Sequence, residues 1–304
     1  MNKFIQDFLT SAESSILGKT KETKLALCCF LSHGHLLIED VPGMGKTTFA
    51  KTLARLLDLS FARIQFTNDL MPSDLIGIQI FDAKEAKFNL IHGPVFHQFI
   101  LADELNRGTP KTQSALLEAM EEKQVTLDGQ TIELPHPFFV VATQNPRSQI
   151  GTHHLPESQL DRFMMKIKIG YPENHYEKQI ISSDIHAENY NKLQPVINST
   201  TLADLYQSVK NITVSDKLLD YVVALLEQSR INSSFQGLSP RAGKDIIKAA
   251  KAWAFIHGRD FVLPDDVQDI LPSVISHRVA PFQNQSFTQD QELSQMLIKT
   301  VKVD

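Results

Sequence analysis

A short glycine-containing segment has the residue types that bind phosphate groups. It follows the apolar run 36–38, precedes the helix-like stretch 49–57 and contains a Gly-Lys-Thr triplet. Glycines let backbone N–H groups turn inward around phosphate oxygens, and the start of the following helix adds partial positive charge. The lysine can reach β- and γ-phosphates, and the threonine hydroxyl can hold Mg²⁺. The predicted binding residues are Pro42, Gly43, Met44, Gly45, Lys46, Thr47 and Thr48.

One residue departs from the usual spacing of such a loop. The strict pattern has a glycine six residues before the lysine, where this sequence has Asp40. Gly43 and Gly45 remain, so the loop can still turn. An ordinary Gly-Pro turn is the alternative interpretation, but the position between a strand and a helix favours a nucleotide site.

Polar residues also end two other apolar runs. Asp103 and Glu104 follow one of them, and Asn145 follows the next strand-like run after that. Ligands of a parallel sheet gather at the carboxyl ends of its strands, so Asp103 would bind Mg²⁺ beside the phosphate loop. Glu104 could activate the attacking water as a general base, and Asn145 could orient that water. The alternatives are an exposed acidic pair and an ordinary Asn-Pro turn.

Strands alternating with helices must position these residues. Several of the strand-like runs are continuously apolar, as strands buried on both faces should be. The spacing suits βα crossovers, and it predicts an α/β fold with a parallel five-stranded sheet and helices on both sides. The predicted strands are 35–39, 62–66, 98–102, 138–143 and 164–169.

Two inserts interrupt this alternation. Within 125–134, an Asp128-Gly129 pair lies between alternating strands, which is the strongest short-range pattern for a β-hairpin. The stretch 76–90, with a polar centre, predicts a second and looser hairpin. The polar tips favour hairpins that face a partner, since such loops are rarely buried. The alternative is that both inserts only extend the sheet.

The pattern changes after Pro172, beyond which there is little strand character. The segment 189–200 contains asparagine and proline and is predicted to be a loop. Ser239 followed by a proline is typical of a helix start. We therefore expect an α/β nucleotide-binding core over residues 1–172 and a small all-helical domain over 173–304. Helical spacing is found in 218–226, 240–255 and 264–275.

The composition excludes several classes of protein. With 304 residues and 42% hydrophobic residues, the chain can form a packed core and is not a disordered chain. No apolar run approaches the roughly 18 residues of a membrane span, and the start lacks the pattern of a signal peptide. Adjacent Cys28 and Cys29 are a poor disulfide pair, which favours core residues of a cytoplasmic protein. The net charge of −5 does not indicate a general nucleic-acid binder.

The order and spacing of these motifs resemble those of a MoxR-type AAA+ ATPase. The resemblance covers nearly the whole chain and is densest from residue 35 to residue 172. Each segment is weak by itself, but their order and spacing together are highly specific. The departure at Asp40 resembles what that family tolerates. The segments that carry the resemblance are 38–47, 63–67, 71–74, 101–107, 112–120, 142–146 and 155–163.

The resemblance implies further site residues. Arg162 matches an arginine finger, which would stabilise charge on the γ-phosphate bound by a neighbouring subunit. Arg241 matches the sensor-2 arginine, which could reach the bound phosphates and couple the helical lid to the nucleotide state. Gly18 resembles a small turn that packs against adenine, and Arg107 is a second candidate for a contact between subunits. The alternatives are a surface salt bridge for Arg162, an exposed helix arginine for Arg241 and an ordinary loop for Gly18.

The resemblance also implies an assembly and an activity. Members of the family form rings, usually hexamers, that use ATP and Mg²⁺, and the two hairpins would face the central pore or a partner. We expect Mg²⁺-dependent ATP hydrolysis that remodels or helps mature a protein, with von Willebrand factor A domain proteins as the suggested partners. Insertion into a membrane is not expected. A nucleic-acid-stimulated motor and a nucleotide-gated binding scaffold with little turnover are the rival functions.

Overall fold

The structure is a computed structural model in which residues 2–127, 129–145, 153, 155–182, 190, 192–231, 237–279 and 289–302 are described, with side chains of the last segment described from residue 294. The strands are Leu36–Glu39 (β1), Phe61–Gln65 (β2), Gly77–Asp82 (β3), Lys87–His92 (β4), Phe99–Asp103 (β5), Gln124–Leu127 (β6), Gln130–Glu133 (β7), Phe139–Gln144 (β8) and Met165–Ile167 (β9). Each of the five sheet strands lies within one or two residues of its predicted bounds.

Helices account for most of the remaining described residues. The α-helices are Lys3–Glu13 (α1), Thr20–Leu31 (α2), Lys46–Leu56 (α3), Pro72–Ile76 (α4), Pro110–Glu122 (α5), Glu157–Leu160 (α6), Asn174–Ser182 (α7), Ser199–Lys210 (α8), Asp216–Ile231 (α9), Pro240–Ile256 (α10), Pro264–Ile275 (α11) and Gln289–Thr300 (α12). Within the described ranges, no helix has the length and apolar character that crossing a bilayer requires.

A five-stranded sheet in the order β2-β5-β8-β1-β9 forms the centre of the fold, and all its pairings are parallel. Alternate residues of β1 face opposite sides, since Leu36 and Ile38 join one hydrophobic cluster and Leu37 joins the other. All of β5 is buried. The predicted α/β class, with a parallel sheet covered on both faces, is confirmed.

Both inserts are antiparallel hairpins, β3 with β4 and β6 with β7. Neither hairpin is hydrogen-bonded into the central sheet in the described part of the chain. Residue Asp128 of the predicted hairpin tip lies outside the described residues. The two hairpins therefore project as separate units instead of widening the sheet.

The C-terminal helices pack against the first helices and the sheet edge. The Cys28 thiol of α2 donates to the Ala249 carbonyl of α10 at 3.2 Å, and the Lys166 amino group of β9 donates to the Ser276 carbonyl after α11 at 3.4 Å. Burial raises the pKa of the Cys28 thiol, so the thiol stays neutral in the core. The helical character of this region is confirmed for its described residues, where the β-structure is an isolated bridge between Thr213 and Phe261, whereas the boundary at residue 172 stays a prediction.

Capping hydrogen bonds at two helix starts confirm one prediction and correct another. Ser239 accepts a hydrogen bond from the Ala242 amide at 3.2 Å, as the cap predicted before α10. The predicted loop 189–200 extends too far, because α8 begins at Ser199. The Asn198 side chain caps that helix by accepting from the Thr201 amide at 2.9 Å, so an asparagine that looked like a loop residue is a helix start.

Candidate nucleotide-binding site

The glycine loop joins the end of β1 to the start of α3. Gly43 and Gly45 have φ angles of 89° and 77°, in the left-handed region that glycine adopts without strain. A Cβ added at either position would have no atom within 4 Å, so backbone conformation alone requires glycine there. Asp40 has no positive φ. Its position therefore does not need the glycine of the strict pattern.

The carboxylate of Asp40 braces the loop. Its Oδ1 accepts a hydrogen bond from the Val41 amide at 2.8 Å, and its Oδ2 accepts one from the Gly170 amide at 2.6 Å. Gly170 follows β9, the strand at the sheet edge. The residue that departs from the usual pattern thus ties the loop to the neighbouring strand end.

Lys46 lies buried beneath the loop, with 9% of its surface exposed. Its Nζ donates to the Asp40 carbonyl at 2.6 Å and to Asn145 Oδ1 at 3.3 Å. Burial lowers the pKa of the Lys46 amino group, and the charges of Asp40, Asp103 and Glu104 oppose that shift. The structure therefore brings the predicted lysine, amide and acids to one place.

Asp103 is held by two residues that sequence reasoning did not assign. Its Oδ1 accepts from the Thr143 hydroxyl at 2.6 Å, and its Oδ2 accepts from Arg63 Nε at 3.1 Å and Nη2 at 2.6 Å. Arg63 lies on β2, which pairs with β5 in parallel. The available signal was the alternation of polar residues Arg63 and Gln65 at the carboxyl end of an otherwise apolar strand.

Glu104 follows Asp103 in a left-handed conformation, with φ of 54°. Its amide donates to the Thr143 hydroxyl at 2.9 Å, and its Oε2 accepts from Gln65 Nε2 at 3.1 Å. The same oxygen accepts from Arg107 Nη1 at 2.7 Å. Arg107 therefore contacts an acid of its own subunit here, and its contact with a neighbour stays a prediction.

The residues predicted to hold Mg²⁺ supply a hydroxyl and a carboxylate. Thr47 is the second residue of α3 and is half-buried, and Asp103 ends β5. Mg²⁺ prefers oxygen ligands, and in nucleotide sites it takes few of them from the protein, with water and phosphates completing the set. No group of three or more histidines, cysteines or acids suited to a metal occurs in the part of the chain that the structure describes. The donor set fits a metal that arrives with a nucleotide.

A cavity of about 370 Å³ opens beside the loop. Gly43, Gly45 and Thr48 line its polar wall, together with Met44, and Pro42 is exposed in the same loop. Most of the other lining residues are apolar and were not predicted. They include Ile16, Leu17, Tyr171, Pro172, Ile180 and Ile181. A cavity lined both by the glycine loop and by apolar side chains suits a nucleoside triphosphate, since phosphates need polar groups and a base needs apolar ones.

Gly18 lies at the edge of this cavity, between the lining residues Leu17 and Lys19. Its φ is 68°, and its amide donates to Glu13 Oε1 at 2.8 Å. A Cβ at this position would lie 2.4 Å from the Tyr176 ring of α7. Glycine is needed here both for the backbone angle and for the close approach of α7.

Arg162 and Arg241 line a second cavity, of about 390 Å³. Arg162 Nη1 donates to the Leu117 carbonyl of α5 at 2.6 Å. The two Nη groups of Arg241 donate to the Glu121 carboxylate at 3.2 and 2.8 Å. No described residue lines both this cavity and the one beside the glycine loop. The two arginines therefore lie together, and the prediction that Arg241 reaches its own subunit's phosphates stays untested.

Comparison with known proteins gives the family. Residues 35–165 match the model for the ATPase family associated with various cellular activities (AAA), and residues 231–296 match the AAA lid domain. The chain is 45% identical to Bacillus subtilis YeaC over 87% of its length and 83% of the relative. It is 40% identical to Mycobacterium tuberculosis Chaperone MoxR1 over 87% of its length and 72% of the relative.

A more distant relative and a solved structure agree with this result. Protein MoxR of Paracoccus denitrificans is 29% identical over 87% of this chain and 85% of the relative. A candidate ATPase from Cytophaga hutchinsonii, known from a crystal structure, superposes with a TM-score of 0.87 and 34% identity, covering 99% of this chain and 95% of that one. The chain belongs to the MoxR family of AAA+ ATPases.

Proposed function

We propose that this chain hydrolyses ATP with Mg²⁺ as part of a ring, a hexamer by the resemblance, and remodels or helps mature a protein partner. The observation that carries the proposal is the 3.3 Å contact between Lys46 Nζ and Asn145 Oδ1 beneath the glycine loop, with Asp103 and Glu104 close enough to shift the pKa of that lysine. A buried cation, an amide and two acids around a phosphate loop suit hydrolysis of a triphosphate.

Each residue of this group has a distinct part in the proposed reaction. Lys46 and the loop amides bind the β- and γ-phosphates, while Thr47 and Asp103 hold Mg²⁺, which when bound offsets phosphate charge. Glu104 takes the proton from the attacking water as general base. Asn145 orients that water. The Glu104 backbone is left-handed, and its amide donates a hydrogen bond to the Thr143 hydroxyl, while its carboxylate accepts from Gln65 and Arg107.

The positions of Arg162 and Arg241 support assembly into a ring. Arg162 and Arg241 line a cavity separate from the glycine loop of their own subunit. Positive charge on such a surface is useful to hydrolysis when it contacts the nucleotide of an adjoining subunit. We infer that Arg162 acts across the subunit boundary, so turnover depends on the ring. Because Arg241 lies beside Arg162, we propose that it acts there too, in place of the contact with its own subunit's phosphates that the resemblance implied.

The helical lid and the hairpins would convert hydrolysis into movement of a partner. We place the core in residues 1–172 and the lid in residues 173–304. The β3–β4 hairpin has exposed apolar side chains, which supports contact with another protein. The relative named Chaperone MoxR1 supports a protein client. The family resemblance suggests von Willebrand factor A domain proteins as the first candidates. The free thiols of Cys28 and Cys29 suit a reducing compartment such as the cytoplasm.

Phosphate release measured over a range of protein and Mg²⁺ concentrations tests the activity. Specific activity should rise with protein concentration as subunits assemble, and chelation of Mg²⁺ should abolish it. Lys46→Ala should lose ATP binding, whereas Glu104→Gln should bind ATP and stop turnover. Wild-type turnover by Glu104→Gln would refute the assignment of the base, and a fully active protein that stays monomeric with ATP bound would refute the ring.

The Glu104→Gln variant also tests the partner. Loaded with ATP, it should retain a client that wild-type protein releases, and von Willebrand factor A domain proteins should be enriched over a Lys46→Ala control. Stimulation of phosphate release by DNA, lost at high salt, would instead favour the nucleic-acid motor. ATP binding without measurable turnover at any protein concentration would favour the scaffold.

A further inference from the structure

Arg278 is a buried arginine that lies after α11 and is outside the proposed reaction. Only 3% of its side chain is exposed. Its Nη2 donates to Asp245 Oδ2 of α10 at 2.6 Å and to the Phe163 carbonyl at 2.9 Å. Its Nε lies 3.3 Å from Asp161 Oδ1. One guanidinium therefore joins α10 to the residues on both sides of Arg162.

The neighbouring His277 contacts the same segment, at Phe163. His277 Nε2 lies 2.7 Å from the Phe163 carbonyl. Burial lowers the pKa of this imidazole, so it is neutral. Because a carbonyl can only accept, the proton is on Nε2, and the ring donates to it. The Phe163 carbonyl is thus held by two donors from the same turn of the lid.

Asp161 connects Arg278 to Arg241. Its Oδ2 lies 3.9 Å from Arg241 Nε, while its Oδ1 faces Arg278. Arg241 and Asp245 both lie on α10, one turn apart. One shared set of charges therefore links the 161–163 segment, which contains Arg162, to α10, which contains Arg241.

A buried guanidinium is not needed merely to fill this space. Removing its charge from water is costly, and apolar residues of similar volume commonly pack as well. What the planar guanidinium adds is one nitrogen, Nη2, that donates to Asp245 and to the Phe163 carbonyl at once, together with a charge contact to Asp161, and these contacts set the relative position of the three groups.

We propose that Arg278 is a positioning residue for Arg162, and that it holds the 161–163 segment and α10 as one unit so that Arg162 and Arg241 meet a neighbour's nucleotide in a set geometry. This inference rests on the proposed action of Arg162 across the subunit boundary. Arg278 touches no nucleotide itself. Its loss should lower kcat and leave ATP binding by the same subunit unchanged.

Arg278→Lys keeps the charge and removes the planar guanidinium whose Nη2 contacts both Asp245 and Phe163, and it is the first variant to test. We expect kcat to fall by about 10- to 100-fold with KM unchanged, as misplacement of a catalytic group by about 1 Å can produce. Arg259→Lys is the matched control, because Arg259 also pairs with a lid carboxylate, that of Asp266, but its hydrogen bonds do not reach the 161–163 segment. That control should keep wild-type kcat.

Mixing subunits shows whether the effect crosses the boundary. Lys46→Ala subunits cannot turn over ATP but carry intact arginines, so mixing them with Arg278→Lys subunits should restore activity above that of either alone. Arg162→Ala mixed with Lys46→Ala is the reference. Restoration in the reference alone overturns the role of Arg278, and so does wild-type kcat in Arg278→Lys. Failure of the reference mixture overturns the proposed function of Arg162 instead.

A second variant covers the case in which Arg278→Lys does not fold, as judged by lost ATP binding. Asp161→Asn keeps the shape of the side chain and weakens its attraction to Arg278. It should bind ATP normally, lose kcat and be restored in the same mixture. Normal turnover by a folded Asp161→Asn protein would overturn the proposal.

Discussion

Arg63 donates two hydrogen bonds to a single carboxylate oxygen of Asp103, from Nε at 3.1 Å and from Nη2 at 2.6 Å. The other oxygen of Asp103 is occupied by the Thr143 hydroxyl. Both oxygens of the proposed magnesium ligand are therefore engaged within the subunit. A divalent cation must share this carboxylate with a guanidinium or displace it.

Removing that guanidinium should make Mg²⁺ more effective. Arg63→Ala is expected to lower the Mg²⁺ concentration for half-maximal phosphate release by about two- to fivefold, since a partly exposed ion pair is worth up to about 1 kcal/mol. The measurement is a Mg²⁺ titration at saturating ATP. Lys87→Ala removes the same charge from the exposed β3–β4 hairpin and should leave the midpoint unchanged. A higher Mg²⁺ midpoint in Arg63→Ala would contradict competition between Arg63 and Mg²⁺ for the Asp103 carboxylate.

The Thr143 hydroxyl joins the two acids of the site, since it donates to Asp103 and accepts from the Glu104 amide. Thr143→Val keeps the shape but leaves the buried Asp103 oxygen and the partly buried Glu104 amide without this partner, which should cost about 1–3 kcal/mol of unfolding free energy in total. We expect kcat to fall by about 10- to 100-fold as both acids shift. Urea unfolding and phosphate release measure the two effects.

Thr143→Ser is the matched control for that prediction, because it keeps the hydroxyl and removes only a methyl group. It should retain most of the wild-type kcat. If the serine and valine variants lose activity equally, the hydroxyl is not what positions Asp103 and Glu104.

Alanine substitutions at two glycines with similar backbone angles distinguish the cost of a left-handed backbone from the cost of crowding. Gly18 and Gly129 have φ of 68° and 82°, but a Cβ at Gly18 would lie 2.4 Å from Tyr176, whereas Gly129 has open space. Alanine at either site should cost about 1–2 kcal/mol for the left-handed backbone. Gly18→Ala should add about 1–3 kcal/mol for overpacking and weaken nucleotide binding.

Chemical denaturation and titration with a fluorescent ATP analogue test this pair of variants. Gly129→Ala should bind the analogue as wild type does. Equal affinities in the two variants would show that the contact between Gly18 and Tyr176 does not shape the cavity.

The buried imidazole of His35 should make stability depend on pH. Burial lowers its pKa to about 4, against 6.5 in the unfolded chain. Between these values the unfolded chain binds a proton that the folded chain does not, so stability present above pH 6.5 is lost as pH falls towards 4. The loss should be of the order of 3 kcal/mol for a shift of this size.

Urea unfolding at several pH values between 7.5 and 4.5 measures this dependence. His35→Gln should be less stable than wild type at pH 7.5, since His35 also accepts from the Val140 amide at 3.0 Å. Its stability should fall less steeply with acid, and the remaining slope should include His277. Parallel slopes in the two proteins would exclude His35 as the titrating group.

The fold was predictable because its signals are local. Strands of a covered parallel sheet are apolar on both faces, so β5 and β8 stand out as continuous runs. The hairpin β6–β7 follows from one Asp-Gly pair. The predicted loop 189–200 extended too far because Asn198 caps a helix, and asparagine is favoured both in loops and at helix starts.

The sequence by itself determined the residue types of the phosphate loop, the acids at the end of β5 and the order of strands and helices, since backbone angle and burial act on neighbouring residues. Only the tertiary structure decided which groups meet. Asp103 and Arg63 are 40 residues apart, and Phe163 and Arg278 are 115 apart. Whether such residues come into contact depends on which strands and helices lie side by side. No local pattern of residues specifies the contacts of a side chain across such a separation.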